Sequence, residues 1–142
     1  MGTRRRAREM ALQILYGLDI NPGDPETACG DLDGWSDLEA DSRDFVSDLV
    51  QGAWDRRSEI DQVIADASIK WDVGRMAVVD RNLLRLATYE MMAHRDTPAR
   101  VVLNEAIEMA KNYGGEESGN FINGVLDRIK YDLEREQNES SS

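Results

Sequence analysis

Residues 101–129, VVLNEAIEMAKNYGGEESGNFINGVLDRI, constrain the fold of this chain more than any other stretch. They read as two amphipathic helices joined by a tight turn at Gly114-Gly115. Phe121, Ile122, Val125, Leu126, Ile129 and Leu133 fall on one face of the second helix. A hairpin of this kind cannot bury its apolar faces alone, so further helices must cover it. Its polar residues are also unusual. Asn and Gly are poor helix formers, with Gly costing about 1 kcal/mol relative to Ala, yet Asn104, Asn123 and Gly124 lie inside helical patterns. Gly allows close helix approach, and a buried Asn must bond a neighbour. We therefore expect Asn104, Glu105, Asn123 and Gly124 to be internal struts.

The rest of the chain supplies the covering helices. A first helix is predicted over residues 3–19, ended by Asn21-Pro22-Gly23. Ala7, Ala11, Ile14 and Leu18 lie on one face, while Arg4, Arg5, Arg8 and Tyr16 share another with Leu12. Residues 21–36 are broken by Pro22, Gly23, Pro25, Gly30 and Gly34, and a connection this long has room for a short helix. A second long helix follows over 38–57. Ser58 and Asp61 resemble a capping box opening a third, with Ile60, Val63, Ile64, Ala67 and Trp71 apolar. A fourth over 73–94 is apolar on a wide arc, so it should be surrounded by others. Thr97-Pro98 starts a fifth, and Ser118 is placed to cap the sixth. No strand pattern is evident. The expected fold is all-α, a single domain over residues 1–134, with a polar tail at 135–142 read as disordered.

Composition removes several function classes. No apolar run approaches the roughly 20 residues of a membrane span, and no apolar h-region follows the N-terminal arginines, which reads as a cytoplasmic protein. Cys29 is the lone cysteine and His94 the lone histidine, so no disulfide, zinc site or catalytic dyad suggests itself. We expect no enzyme, no metal and no cofactor. His94 fits a cation at a helix C-terminus, and Trp35, Trp54 and Trp71 fit packing roles. The net charge of -11 argues against nonspecific coating of nucleic acid. Charge distribution matters more than the total, however. Carboxylates gather in 24–61 and after Tyr131, while Arg4, Arg5, Arg6 and Arg8 crowd the first eight residues.

That cluster has a physical consequence. Cations at a helix N-terminus oppose the helix dipole by about 0.3–1 kcal/mol each. Four arginines there call for an anion, and guanidinium forks bind phosphate well. Tyr16, on the arginine face, is placed to stack on a base or meet a protein. Phe121 enters its helix through Gly119-Asn120, a flexible turn that can bring the ring to the surface. Glu90 sits in an apolar neighbourhood, so a buried pairing with an arginine is expected.

Three segments carry a family resemblance. Arg4-Arg5-Arg6-Ala7-Arg8-Glu9 with Leu12-Gln13-Ile14-Leu15-Tyr16, the Asp80–Glu90 run DRNLLRLATYE, and the hairpin above occur in the order seen in NusB. Together, residues 4–18, 71–94 and 97–130 resemble that family of bacterial transcription antitermination factors. The resemblance implies two small helical bundles packed across each other. It implies binding of the boxA element of nascent ribosomal RNA together with NusE, a small-subunit ribosomal protein, in an antitermination complex on RNA polymerase. It assigns RNA contacts to Arg4, Arg5, Arg6, Arg8 and Phe121, and NusE contacts to Tyr16 and Asp80. Asn120 stands where many members carry a basic residue. Some members dimerise and cover the RNA surface, which leaves a homodimer open. Two alternatives stand beside this reading. One is a helical adaptor without RNA binding, which the acidic charge favours and the arginines oppose. The other is a stand-alone relative of the NusB-like domain of ribosomal RNA methyltransferases, although the chain leaves no room for a methyltransferase.

Overall fold

The computed structural model describes residues 3–69 and 72–141; Trp71, expected on the third helix, lies outside them. Among the described residues the regular elements are all helices. The helices are α1 (Thr3–Ile20), α2 (Pro25–Gly30), α3 (Ala40–Asp55), α4 (Arg57–Ala67), α5 (Val78–Ala93), α6 (Ala99–Tyr113) and α7 (Ser118–Ser141). No described helix is long and apolar enough to cross a membrane.

Local chemistry sets the boundaries. Asp24 starts α2 inside the expected loop: its Oδ2 accepts from the Thr27 backbone N–H at 3.0 Å, and Pro25 follows in the first helical turn. Gly34, at φ +87°, turns the chain into a 3-10 turn at Trp35–Asp37. The fourth predicted helix starts later than its periodicity suggests. Asp72 Oδ1 accepts from the Gly74 N–H at 3.1 Å and closes a separate 3-10 turn, Val73–Arg75, before α5 begins. One capping expectation fails. No side chain caps α4, which starts at Arg57 and so places Ser58 inside its first turn rather than at the cap. Ser118 Oγ accepts from the Gly115 N–H at 3.0 Å, closing the turn ahead of α7.

The sequence reading leaves residues 135–142 disordered, whereas the structure continues α7 to Ser141. Glu, Arg and Gln are good helix formers, and Arg95 Nη1 donates to Gln137 Oε1 at 3.2 Å, giving this turn a tertiary contact.

α5 is the axis of the molecule. It packs against α1, α3, α4, α6 and α7, and every residue from Asn82 to Met91 is buried. Burial of side chains such as Leu83, Leu84 and Leu86 stabilises by about 1.5–3 kcal/mol each. α1 and α2 pack on α3 to one side of it, and α6 and α4 pack on α7 to the other. This is the pair of crossed bundles that the sequence led us to expect. α3 and α5 meet at Gly52, where an added Cβ would overlap the Tyr89 ring.

One other expectation needs correction. Asn104, Asn123 and Gly124 are exposed, and nothing lies near a Cβ built on Gly124. They are not struts. Of the four, only Glu105 engages another helix.

Candidate nucleic-acid interface

α1 is buried on more than one side: Ala7, Met10, Ala11, Leu12, Ile14, Leu15 and Leu18 all reach the core, and so does Arg8. The four arginines at its start therefore meet four different environments. Arg8 Nε donates to Glu90 Oε1 at 2.8 Å, and Nη2 to Oε2 at 2.6 Å. Both side chains are buried, at 7% and 1% exposure. Burial alone pulls the Arg8 guanidinium down, but the hydrogen bond and charge of Glu90, with the charge of Glu105, outweigh it and leave it raised. Arg8 is thus the counterion of Glu90 in the free protein. Glu90 has the buried arginine partner that its apolar surroundings called for.

Arg5 is half-buried. Its Nε donates to Glu105 Oε2 at 2.9 Å, and Nη2 reaches the same oxygen. Arg4 is exposed, with its guanidinium 4.0 Å from the centroid of the Phe45 ring, a cation–π contact. Arg6 is exposed on the opposite side of α1. There it lines a cleft with Gln13, Tyr16, Tyr113 and Val79. So the anion demanded by cations at this helix start is largely internal: Glu90 and Glu105 answer Arg8 and Arg5, and the face of Phe45 answers Arg4. Arg4 and Arg6 are the two that face solvent.

Asp80 and Phe121 come together. They line one cleft with Arg75, Met76, Ala77 and Ser118, between the start of α5 and the start of α7. Phe121 is half-buried against the core. Asp80 Oδ1 is shielded from solvent, and no hydrogen-bond partner for it is found among the described residues. Val79, adjacent to Asp80, lines the Tyr16 cleft. Tyr16 and Asp80 therefore flank one segment of α5, whereas Arg4 stands apart in a groove with Phe45, Asp48, His94 and Glu105.

Sequence reasoning missed the partners more than the residues. Arg81 Nε and Asn82 Nδ2 both donate to Asp19 Oδ2 at 2.8 Å, and Arg85 grips Asp61 with two bonds of 2.8 Å. These pairs fasten α1 and α4 to α5. Burial pushes the Asp19 carboxyl up, but the bonds from Arg81 and Asn82 and the charges of Arg85 and Arg81 leave it below its ordinary value. His94 directly follows α5 and its ring Nε2 pairs with Asp48. Asp48 also accepts from the Tyr89 hydroxyl at 3.0 Å; burial, then this bond, pushes that hydroxyl up to about 12. Cys29 is buried, which pushes its thiol up to about 11, and an inert structural thiol results.

The NusB family matches residues 5–131, and the chain belongs to that family. It is 48% identical to the transcription antitermination protein NusB of Pelotomaculum thermopropionicum, over 89% of this chain and 88% of that protein. The solved structure of T. maritima NusB superposes with a TM-score of 0.83 at 38% identity, covering 90% of each chain. A crystal structure of antitermination factors NusB and NusE in complex with dsRNA matches with a TM-score of 0.83 at 27% identity, over 92% of this chain and 98% of that one.

Proposed function

We propose that this protein is a transcription antitermination factor that binds boxA RNA of nascent ribosomal RNA transcripts together with NusE. The pair acts in the cytoplasm, joining an antitermination complex on RNA polymerase. The observation that carries this reading is the likeness, over 92% of the chain, to a NusB captured with NusE and dsRNA. The site geometry supports a division of labour. Arg4 and Arg6 supply phosphate contacts from the solvent side of α1. Phe121 offers a ring edge for a base. Tyr16 and Asp80 supply the NusE surface, where a donor from the partner would satisfy the orphaned Asp80 oxygen. A homodimer that covered α1 would compete with RNA.

With a net charge of -11, the protein repels RNA at long range, so its affinity alone should be modest. NusE should raise it by linking two weak sites, and by reciprocity boxA RNA should tighten NusE binding by the same factor. The test is a thermodynamic cycle with boxA and scrambled RNA, each measured with and without saturating NusE, for wild type and Asp80→Lys. The reading expects boxA preference, coupling in wild type, and loss of NusE binding in the variant with intrinsic RNA affinity retained. No measurable affinity for either RNA, with or without NusE, would instead favour a helical adaptor without RNA binding, and equal affinity for both would remove the boxA preference.

A further inference from the structure

Glu105 is gripped by two guanidinium groups from successive turns of α1. Arg5 Nε donates to its Oε2 at 2.9 Å, with Nη2 on the same oxygen, and Arg8 Nη1 stands 3.5 Å from Oε1. Two forks converging on one anion is also how arginines hold a phosphate. The two glutamates of this network differ in depth. The Glu90 side chain is 1% exposed and is fixed by two bonds from Arg8, whereas that of Glu105 is 22% exposed at the rim of the Arg4 groove. Arg8 keeps its counterion without Glu105. Among the described residues, the hydrogen bonds of Arg5 go to Glu105. Glu105 is therefore the member of the network that can leave without stranding a buried charge.

We propose that Glu105 occupies the seat of an RNA phosphate, holding Arg5 ready in the free protein and giving way when the transcript arrives. The proposal rests on the RNA-binding reading above and adds a residue that opposes it. Arg5 contributes to RNA binding only after exchanging one anion for another, so the charge of Glu105 sets how much of the arginine cluster the transcript can use. Glu105 is then a positioning residue for Arg5 and a check on weak or poorly placed RNA.

The test is RNA titration over a range of salt with a boxA-like single strand. It compares wild type, Glu105→Gln, Arg5→Ala and the Arg5→Ala/Glu105→Gln pair, with thermal melting as a check on folding. Glu105→Gln keeps the shape and removes the charge. It should tighten binding severalfold and steepen the salt dependence by about 0.7, one single-strand phosphate. The gain should vanish in the Arg5→Ala background. Wild-type binding with no gain in Glu105→Gln, or an equal gain without Arg5, overturns the proposal alone. No RNA binding by wild type or Glu105→Gln removes the proposal and the reading beneath it together. A second readout needs no variant: the Arg5 Nε–H resonance should shift as RNA replaces the carboxylate, and an unmoved resonance at saturation contradicts the exchange.

Discussion

The start of α1 and the cleft between α5 and α7 are both polar, but they resolve their polarity in opposite ways. At the start of α1 the fold supplies the partners: Glu90 for Arg8, Glu105 for Arg5, and the Phe45 ring for Arg4. In the cleft, Asp80 Oδ1 is shielded from water without a hydrogen-bond partner among the described residues. A buried polar group left unmatched costs roughly 1–3 kcal/mol. Charge density alone is therefore a poor guide to a binding surface. Half of the arginine cluster, Arg5 and Arg8, is matched by carboxylates of the fold, and the more modest acidic residue is the one left waiting.

The largest test of this contrast is Arg8→Ala. It leaves Glu90 buried and uncompensated, and should cost about 3–5 kcal/mol in urea unfolding. Arg4→Ala loses an exposed cation–π contact and should cost no more than about 1 kcal/mol. Equal small effects at the two positions would mean that Arg8 is not the core counterion described here.

Asp19 tests a second internally matched charge. Asp19→Asn should destabilise by about 1–3 kcal/mol at neutral pH, because it weakens the bonds from Arg81 and Asn82. The pH dependence has a definite sign. The folded pKa lies below the ordinary 3.8, so the unfolded state binds the proton more readily. The stability Asp19 contributes is present above that ordinary value and is lost as pH falls through the folded one. Unfolding curves of wild type and variant should thus converge in acid below 3.8. A constant gap across that window would contradict the assignment.

The smallest effect belongs to the cleft. Asp80 lies in the first turn of α5, where its charge complements the helix dipole. Asp80→Asn should cost less than about 1 kcal/mol, since no intramolecular hydrogen bond is lost. A cost near that of Arg8→Ala would show that Asp80 serves the fold and not a partner.

The same contrast explains what the sequence could reveal. Periodicity located α1, α3, α4 and α6 to within a few residues, because each has a clear apolar face, but it missed the late start of α5 at Val78 and the continuation of α7 to Ser141. α2 was foreshadowed only by the length of the 21–36 connection, in which Pro25 reads as a break. The burial of Glu90 was legible from its neighbours. Its partner was not, because Arg8 lies 82 residues away and looks, along α1, like one more member of an exposed cluster. The Asn123-Gly124 pair misled in the opposite direction. A costly pair inside a helix suggested close packing, yet both residues face solvent. Local pattern marks which residues are exceptional, while topology decides whether the exception serves the core or the surface.

The central claim is that the arginine cluster is split, with Arg4 and Arg6 facing RNA and Arg8 serving the core. The direct measurement is boxA RNA affinity against salt for the Arg4→Ala/Arg6→Ala pair, alongside its melting temperature. The account predicts weaker binding, a salt slope shallower by about 0.7 for each lost phosphate contact, and a melting temperature close to that of wild type. Unchanged RNA affinity and slope in a folded Arg4→Ala/Arg6→Ala protein would contradict it.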